Sequence, residues 1–84
     1  MPKKIALIYR EILQDYVVNN RGNLVYEPKN SNVFPNLDEA RNYILKSYGG
    51  KKTSILIDQQ CLETGGSELE KKLKKAKIKI LDDN

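Results

Sequence analysis

The chain has 84 residues, of which 31% are charged and 39% are hydrophobic, and its formal net charge at pH 7 is +4. This length supplies a single domain, residues 1–84, whose core is so small that dimerisation would help its stability. One cysteine and no histidine exclude an internal disulfide and the usual zinc sites.

The chain shows no export leader and no long apolar run, so we expect a cytoplasmic protein with no membrane contact. Only a magnesium or calcium site built from oxygen ligands would remain, and the sequence shows no signature of one. We therefore expect no metal and no cofactor.

The pattern of residues 4–18 fits either a helix or two strands. Their apolar positions form one helical stripe, but residues 4–9 also fit a buried strand and residues 16–18 a β-rich run. Two strands are favoured, because the turn cluster at 19–23 follows.

The turn cluster predicts a β-hairpin between residues 16–18 and 24–26, in which Gly22 adopts a positive φ. The N-terminal strand would lie beside this hairpin or inside the sheet. Residues 28–35 are predicted to be a loop because they are rich in proline, asparagine and serine.

A first helix is predicted to begin after Asn36, which can accept a hydrogen bond from the amide of Glu39. Its apolar face carries Leu37, Ala40, Ile44 and Tyr48. Gly49 and Gly50 end the helix. The lysines after them do not make a phosphate loop, because here the glycines close a helix and open a strand.

Residues 52–81 have the clearest pattern, which is that of a βαβ unit. A buried strand over 53–58 precedes a polar loop, and a capping box formed by Ser67 and Glu70 begins a helix. Strict alternation over 77–81 then predicts a strand with Ile78 and Ile80 facing the core. The helix turns Leu69, Leu73 and Ala76 toward the same core.

Together these elements predict an α/β or α+β fold. It contains a small mixed sheet with an N-terminal strand and a β-hairpin, two helices, and a C-terminal βαβ unit. The strand order stays open.

The loop from Asp58 to Gly66 is one candidate site, because ligands of open α/β sheets bind beyond the carboxyl ends of strands. Cys61 lies in this loop, but the chain has no histidine to activate it and two nearby carboxylates would raise its pKa. We therefore expect Cys61 to be a packing residue.

Basic residues at the two ends of the chain form the second candidate. If both ends lie on the same side of the sheet, they create a surface that can bind phosphates or an acidic protein. The competing explanation is that these lysines only solubilise a helix surface and protect a sheet edge. The predicted binding residues are Lys3, Lys4, Arg10, Arg21, Tyr26, Lys71, Lys75, Lys77 and Lys79.

The five tyrosines are a third candidate, because they could stack bases or form an interaction hot spot. No RNA-binding signature accompanies them, so we expect most of them to pack at the rim of the core.

These features favour a small non-enzymatic interaction module. It would bind a macromolecular partner, an acidic protein surface or a nucleic acid, through its basic surface and act as a regulator or inhibitor. The alternative is a small enzyme or anion-binding domain that uses residues 58–66. A homodimer formed by the terminal strand or the hairpin is compatible with either function.

Overall fold

In the computed structural model, which describes residues 3–81, five strands form one mixed sheet and two helices pack on one of its faces. The strands are β1 (Lys3–Arg10), β2 (Asp15–Asn19), β3 (Ser31–Phe34), β4 (Thr53–Ile57) and β5 (Ile78–Leu81). The helices are α1 (Leu37–Tyr48) and α2 (Gln59–Lys75), and a single 3-10 turn spans Pro28–Asn30. This architecture confirms the predicted fold class.

The strand order is β3-β2-β1-β4-β5, with β1 in the centre. β1 is antiparallel to β2 and parallel to β4, while β3 and β5 form the two edges. The C-terminal βαβ unit is therefore present as predicted, and it joins the N-terminal strands through the parallel pairing of β1 with β4.

Alternation along the strands places the core between the sheet and the helices. Ile5 and Leu7 of β1 lie beside Ile55 and Ile57 of β4, and all four belong to the buried cluster. The helices contribute the apolar positions that the sequence predicts, namely Ala40, Ile44 and Tyr48 from α1 and Leu69 and Leu73 from α2.

The N-terminal segment is β-strand rather than helix, but the predicted hairpin partner is wrong. β2 pairs with β1 across a turn at residues 11–14, and its other neighbour is β3. Residues 24–26 lie in a loop, and the segment predicted to be a loop contains β3.

Asn19 explains why the turn cluster starts a long loop. Its buried side chain donates to the carbonyl of Val25 and to a carboxylate oxygen of Glu27, each at 2.8 Å, and accepts from the amide of Arg21. These bonds satisfy loop atoms that a hairpin ladder would otherwise pair. Gly22 has the predicted positive φ, at 81°.

This loop lies over the sheet face opposite the helices. The α-carbon of Gly22 approaches Lys4 so closely that an added Cβ would lie 2.6 Å from its Cγ. Ala6 and Val17 point away from the helices, yet both are fully buried. The loop therefore supplies a partial second layer over β1 and β2.

The predicted α1 cap is confirmed, because the Asn36 side chain accepts from the amide of Glu39 at 2.9 Å. For α2, the predicted loop over residues 58–66 is wrong. The Asp58 carboxylate caps the helix by accepting from the amide of Cys61, so the helix begins at Gln59. Gly66 interrupts it with φ 58° and ψ −155°, immediately before the predicted start at Ser67.

Neither helix of the described range 3–81 is long and apolar enough to cross a lipid bilayer.

Candidate functional site

Lysines cluster at the end of the sheet where β1, β4 and β5 begin. Because these strands are parallel, the residues at their starts lie side by side. The amide of Lys3 donates to the carbonyl of Lys52 at 2.8 Å, and the amide of Gly50 donates to the carbonyl of Ala76 at 2.9 Å. We call Lys3, Lys4, Lys51, Lys52, Lys77 and Lys79 the basic edge.

The register sets the spacing of these charges. Lys4 lies opposite Ser54 on β4, and Ser54 lies opposite Lys79 on β5. Since neighbouring strands are about 4.8 Å apart, the α-carbons of Lys4 and Lys79 are about 10 Å apart. Both side chains project from the sheet face that does not carry the helices.

All six lysines of the basic edge are exposed. Within residues 3–81, none of them forms an ion pair. Lys51 donates from Nζ to the carbonyl of Ser47 at 2.9 Å, which leaves its charge uncompensated. The positive potential of this edge is therefore available to a ligand.

The structure brings together some of the predicted binding residues. Lys75 is the last residue of α2, which ends next to the basic edge. Lys71 lies one helical turn earlier. Arg21 precedes Gly22, which packs against Lys4. Lys51 and Lys52 were missing from the prediction, although their position directly before a buried strand could have indicated them.

Arg10 and Tyr26 lie apart from the basic edge. Arg10 is seven positions beyond Lys3 on β1 and makes a two-pronged ion pair with Asp15, at 2.8 and 2.7 Å. Its guanidinium lies 4.4 Å from the centre of the Tyr26 ring. The hydrogen bond raises the pKa of Arg10 and lowers the pKa of Asp15. Because Arg10 is already paired, it brings no free charge to the lysines.

The other tyrosines contribute to the core, as expected. Tyr48 is buried, and its hydroxyl donates to the side-chain oxygen of Asn20 at 2.9 Å. Burial raises the pKa of Tyr48 to about 12. Tyr9, Tyr16 and Tyr43 are half-buried against the core cluster.

Asp58 and Cys61 have structural roles in the fold. The two carboxylate oxygens of Asp58 accept from the amides of Tyr9 and Cys61, at 2.7 and 2.8 Å. Cys61 is fully buried, and burial and the neighbouring Asp58 raise the pKa of its thiol. The thiol is therefore neutral and inaccessible, which agrees with a packing role.

A cleft of about 540 Å³ opens at the opposite end of the sheet from the basic edge, between the start of α1 and the middle of α2. Tyr9, Tyr16 and Thr64 contribute hydroxyl groups to its lining. Its one cation, Arg41, lies 3.1 Å from Asp38 and 3.7 Å from Glu68. Glu68 also lies 3.5 Å from the ammonium group of Lys72, so the two carboxylates balance two cations and leave no surplus positive charge for a simple anion.

Within residues 3–81, no three acidic, histidine or cysteine side chains come together as metal ligands would. Comparisons of the chain with protein-family models, with curated proteins and with solved structures found no match.

Proposed function

We propose that this protein binds the phosphate backbone of duplex nucleic acid through the basic edge and acts by occupancy, as a regulator or inhibitor. The observation that supports this proposal is the strand register, which gathers six exposed lysines with no ion pair inside the described range. Each lysine that neutralises a phosphate releases a bound counterion, and this release drives association.

The composition of the edge favours phosphates over an acidic protein. Protein interfaces have a centre rich in aromatic and apolar side chains, and they are depleted in lysine. The basic edge consists of lysines around Ser54, and the exposed Tyr26 lies elsewhere. Lysine binds phosphate as a point charge and needs no fixed geometry.

The same composition argues against base recognition. Single strands are usually held by aromatic side chains on which bases stack, and base edges are read mainly by arginine, asparagine or glutamine. All six residues of the basic edge are lysines. The proposed contact is therefore with the sugar-phosphate backbone and is independent of sequence.

Fluorescence anisotropy with a mixed-sequence DNA duplex over a range of salt concentrations tests the proposal. Replacing Lys52 and Lys79 by glutamine should flatten the plot of log affinity against log salt by about 2, since each lost phosphate contact removes about 1. The matched control replaces Lys71 and Lys72, which are exposed on α2 but lie outside the basic edge. Its slope should equal that of the parent.

Two results would overturn the proposal. One is the absence of duplex binding at low salt, and the other is an equal loss of slope in both double variants. Binding to an acidic polypeptide such as polyglutamate, without binding to DNA, would instead assign the edge to an acidic protein.

The alternative function, a small enzyme or anion-binding domain, would use the cleft beside Thr64. Its volume lies within the range of small-molecule sites. However, Asp58 and Cys61 are engaged in the fold, and the charge of Arg41 is balanced by Asp38 and by Glu68, which Arg41 shares with Lys72. Titration with inorganic phosphate, followed by amide chemical shifts, should therefore leave Thr64 and Arg41 unchanged.

A further inference from the structure

The most exposed large apolar side chains of residues 3–81 include two neighbouring pairs. Ile12 and Leu13 are 96% and 61% exposed at the turn between β1 and β2, and Val25 and Tyr26 are 52% and 39% exposed in the loop. Arg10 connects the pairs, because it precedes the turn and its guanidinium lies over the Tyr26 ring. We call Ile12, Leu13, Val25 and Tyr26 the apolar patch.

The turn that carries Ile12 and Leu13 is firmly held. Arg10 and Asp15 face each other at its base and are joined by two hydrogen bonds of 2.8 and 2.7 Å. Gln14 adopts a left-handed conformation with φ 53°, which is uncommon for residues other than glycine. The two aliphatic side chains are therefore presented on an ordered turn, so little backbone entropy is lost when they are covered.

An apolar shelf lies next to Tyr26, formed by residues 26–30. It contains Pro28 and the exposed Lys29. Glu11 is exposed beside Ile12 and forms no ion pair within the described part of the chain. Glu27 also lines the shelf, but its carboxylate accepts hydrogen bonds from the side chains of Asn19 and Asn23. The exposed charges without an ion-pair partner within residues 3–81 are therefore Glu11 on the turn and Lys29 on the shelf.

These two charges are complementary between two copies of the chain. A two-fold axis makes each contact occur twice, so a turn that fits the shelf is matched by the reciprocal contact. The basic edges of two copies would repel each other, whereas the surface around the patch carries charges of both signs. A second copy is therefore the occupant that these charges favour.

We propose that the apolar patch is the contact surface of a symmetric homodimer. Ile12 and Leu13 of one subunit pack on the shelf beside Tyr26 of the other, and Glu11 faces Lys29 of the partner subunit. This proposal does not depend on nucleic-acid binding, because Lys52 and Lys79 of the basic edge lie outside the patch.

Sedimentation equilibrium of the purified protein over micromolar to millimolar concentrations tests the dimer. Replacing both Ile12 and Leu13 by serine should weaken association by at least about 30-fold, as expected for a buried hot spot. Because both side chains are exposed in the subunit, the unfolding midpoint should not fall when it is measured at a concentration at which the parent is monomeric. The Lys52→Gln/Lys79→Gln variant is the matched control and should dimerise at least as strongly as the parent.

A disulfide experiment locates the contact. Single variants Ile12→Cys and Lys29→Cys are mixed and oxidised, while Cys61 stays buried and unreactive. The proposed arrangement forms the mixed disulfide faster than either variant forms a disulfide with itself. A parent that is monomeric at every concentration overturns the proposal, and so does a dimer that survives the Ile12 and Leu13 replacements.

Discussion

Lys77 occupies a position at which many helices carry glycine. It directly follows the cap residue of α2 and has φ 63°. A side chain in this left-handed conformation costs about 1 kcal/mol. Lys77→Gly should therefore raise the free energy of unfolding by about that amount in a urea titration.

The same replacement removes one ammonium group from the basic edge. We expect it to weaken DNA binding while it stabilises the fold, and anisotropy at low salt measures the affinity. Lys52→Gln is the control, since it should weaken binding without a gain in stability. Equal stability of Lys77→Gly and the parent would contradict the conformational cost.

Thr53 buries a hydroxyl group that has no hydrogen-bond partner within residues 3–81. The side chain is 3% exposed and lies at the start of β4. Thr53→Val keeps the shape and removes the unpaired polar atom, so it should stabilise the protein by about 1 kcal/mol. Thr53→Ser, which keeps the hydroxyl and loses a methyl group, should destabilise it. Chemical unfolding of both variants measures the two effects, and a loss of stability in Thr53→Val would show that the hydroxyl is satisfied.

The cap residues of the two helices differ in the number of backbone amides from which they accept hydrogen bonds. Asn36 satisfies one amide of α1, so Asn36→Ala should cost about 1 kcal/mol. Asp58 satisfies an amide of α2 and also the amide of Tyr9 in β1. Asp58→Ala should therefore cost about 2 to 3 kcal/mol, because two donors lose their partner. Unfolding midpoints that rank in the opposite order would contradict this account.

Elements that carry their own local signals could be predicted from the sequence. The Asn36 cap, the spacing of Ile44 and Tyr48, and the alternation of Ile78 and Ile80 each indicate one structure, and the fold contains it. Local signals also missed the first segment of α2, which Asp58 caps, whereas the segment after the break at Gly66 begins at the predicted Ser67. Asp58 also binds β1.

β3 was missed because its sequence has little strand character. Among its four residues only Phe34 packs against the core, and Val33 is 46% exposed. Its position depends on β2 and on the loop that Asn19 fastens. Tertiary contacts of this kind leave no periodic pattern in a sequence.

The basic edge could be predicted only in part, because it also depends on tertiary contacts. Lysines at both ends of the chain are visible in the sequence, but their meeting depends on β1 and β5 lying on either side of β4. Strand order is a property of the whole sheet. The sequence therefore could not show that Lys4 lies two strands from Lys79, nor that Arg10 is paired with Asp15.

Acid should destabilise the molecule through two carboxylates. Hydrogen bonds from Asn19 and Asn23 lower the pKa of Glu27 from its ordinary 4.5, and Arg10 lowers that of Asp15 from 3.8. A carboxylate with a lowered folded-state pKa adds stability that is fully present above its unfolded pKa. This stability is lost as the pH falls from about 4.5 through the folded pKa values.

Urea midpoints measured between pH 7 and pH 2 test this expectation. The Glu27→Gln variant should be less stable than the parent at neutral pH and should approach it in acid, because the parent loses its ionised carboxylate there. A constant difference between the two proteins over this range would contradict the assignment.

The central position of β1 has a consequence for the rate of folding. Its register with β4 pairs Ile5 with Ile55, fifty positions apart along the chain. The antiparallel strands and the βαβ unit can each form from nearby residues, but the sheet is complete only when these halves join across this pair. Closing so long a segment is slow, because its entropy is lost before the contacts form. Ile55→Val should therefore slow refolding in stopped-flow measurements more than it speeds unfolding.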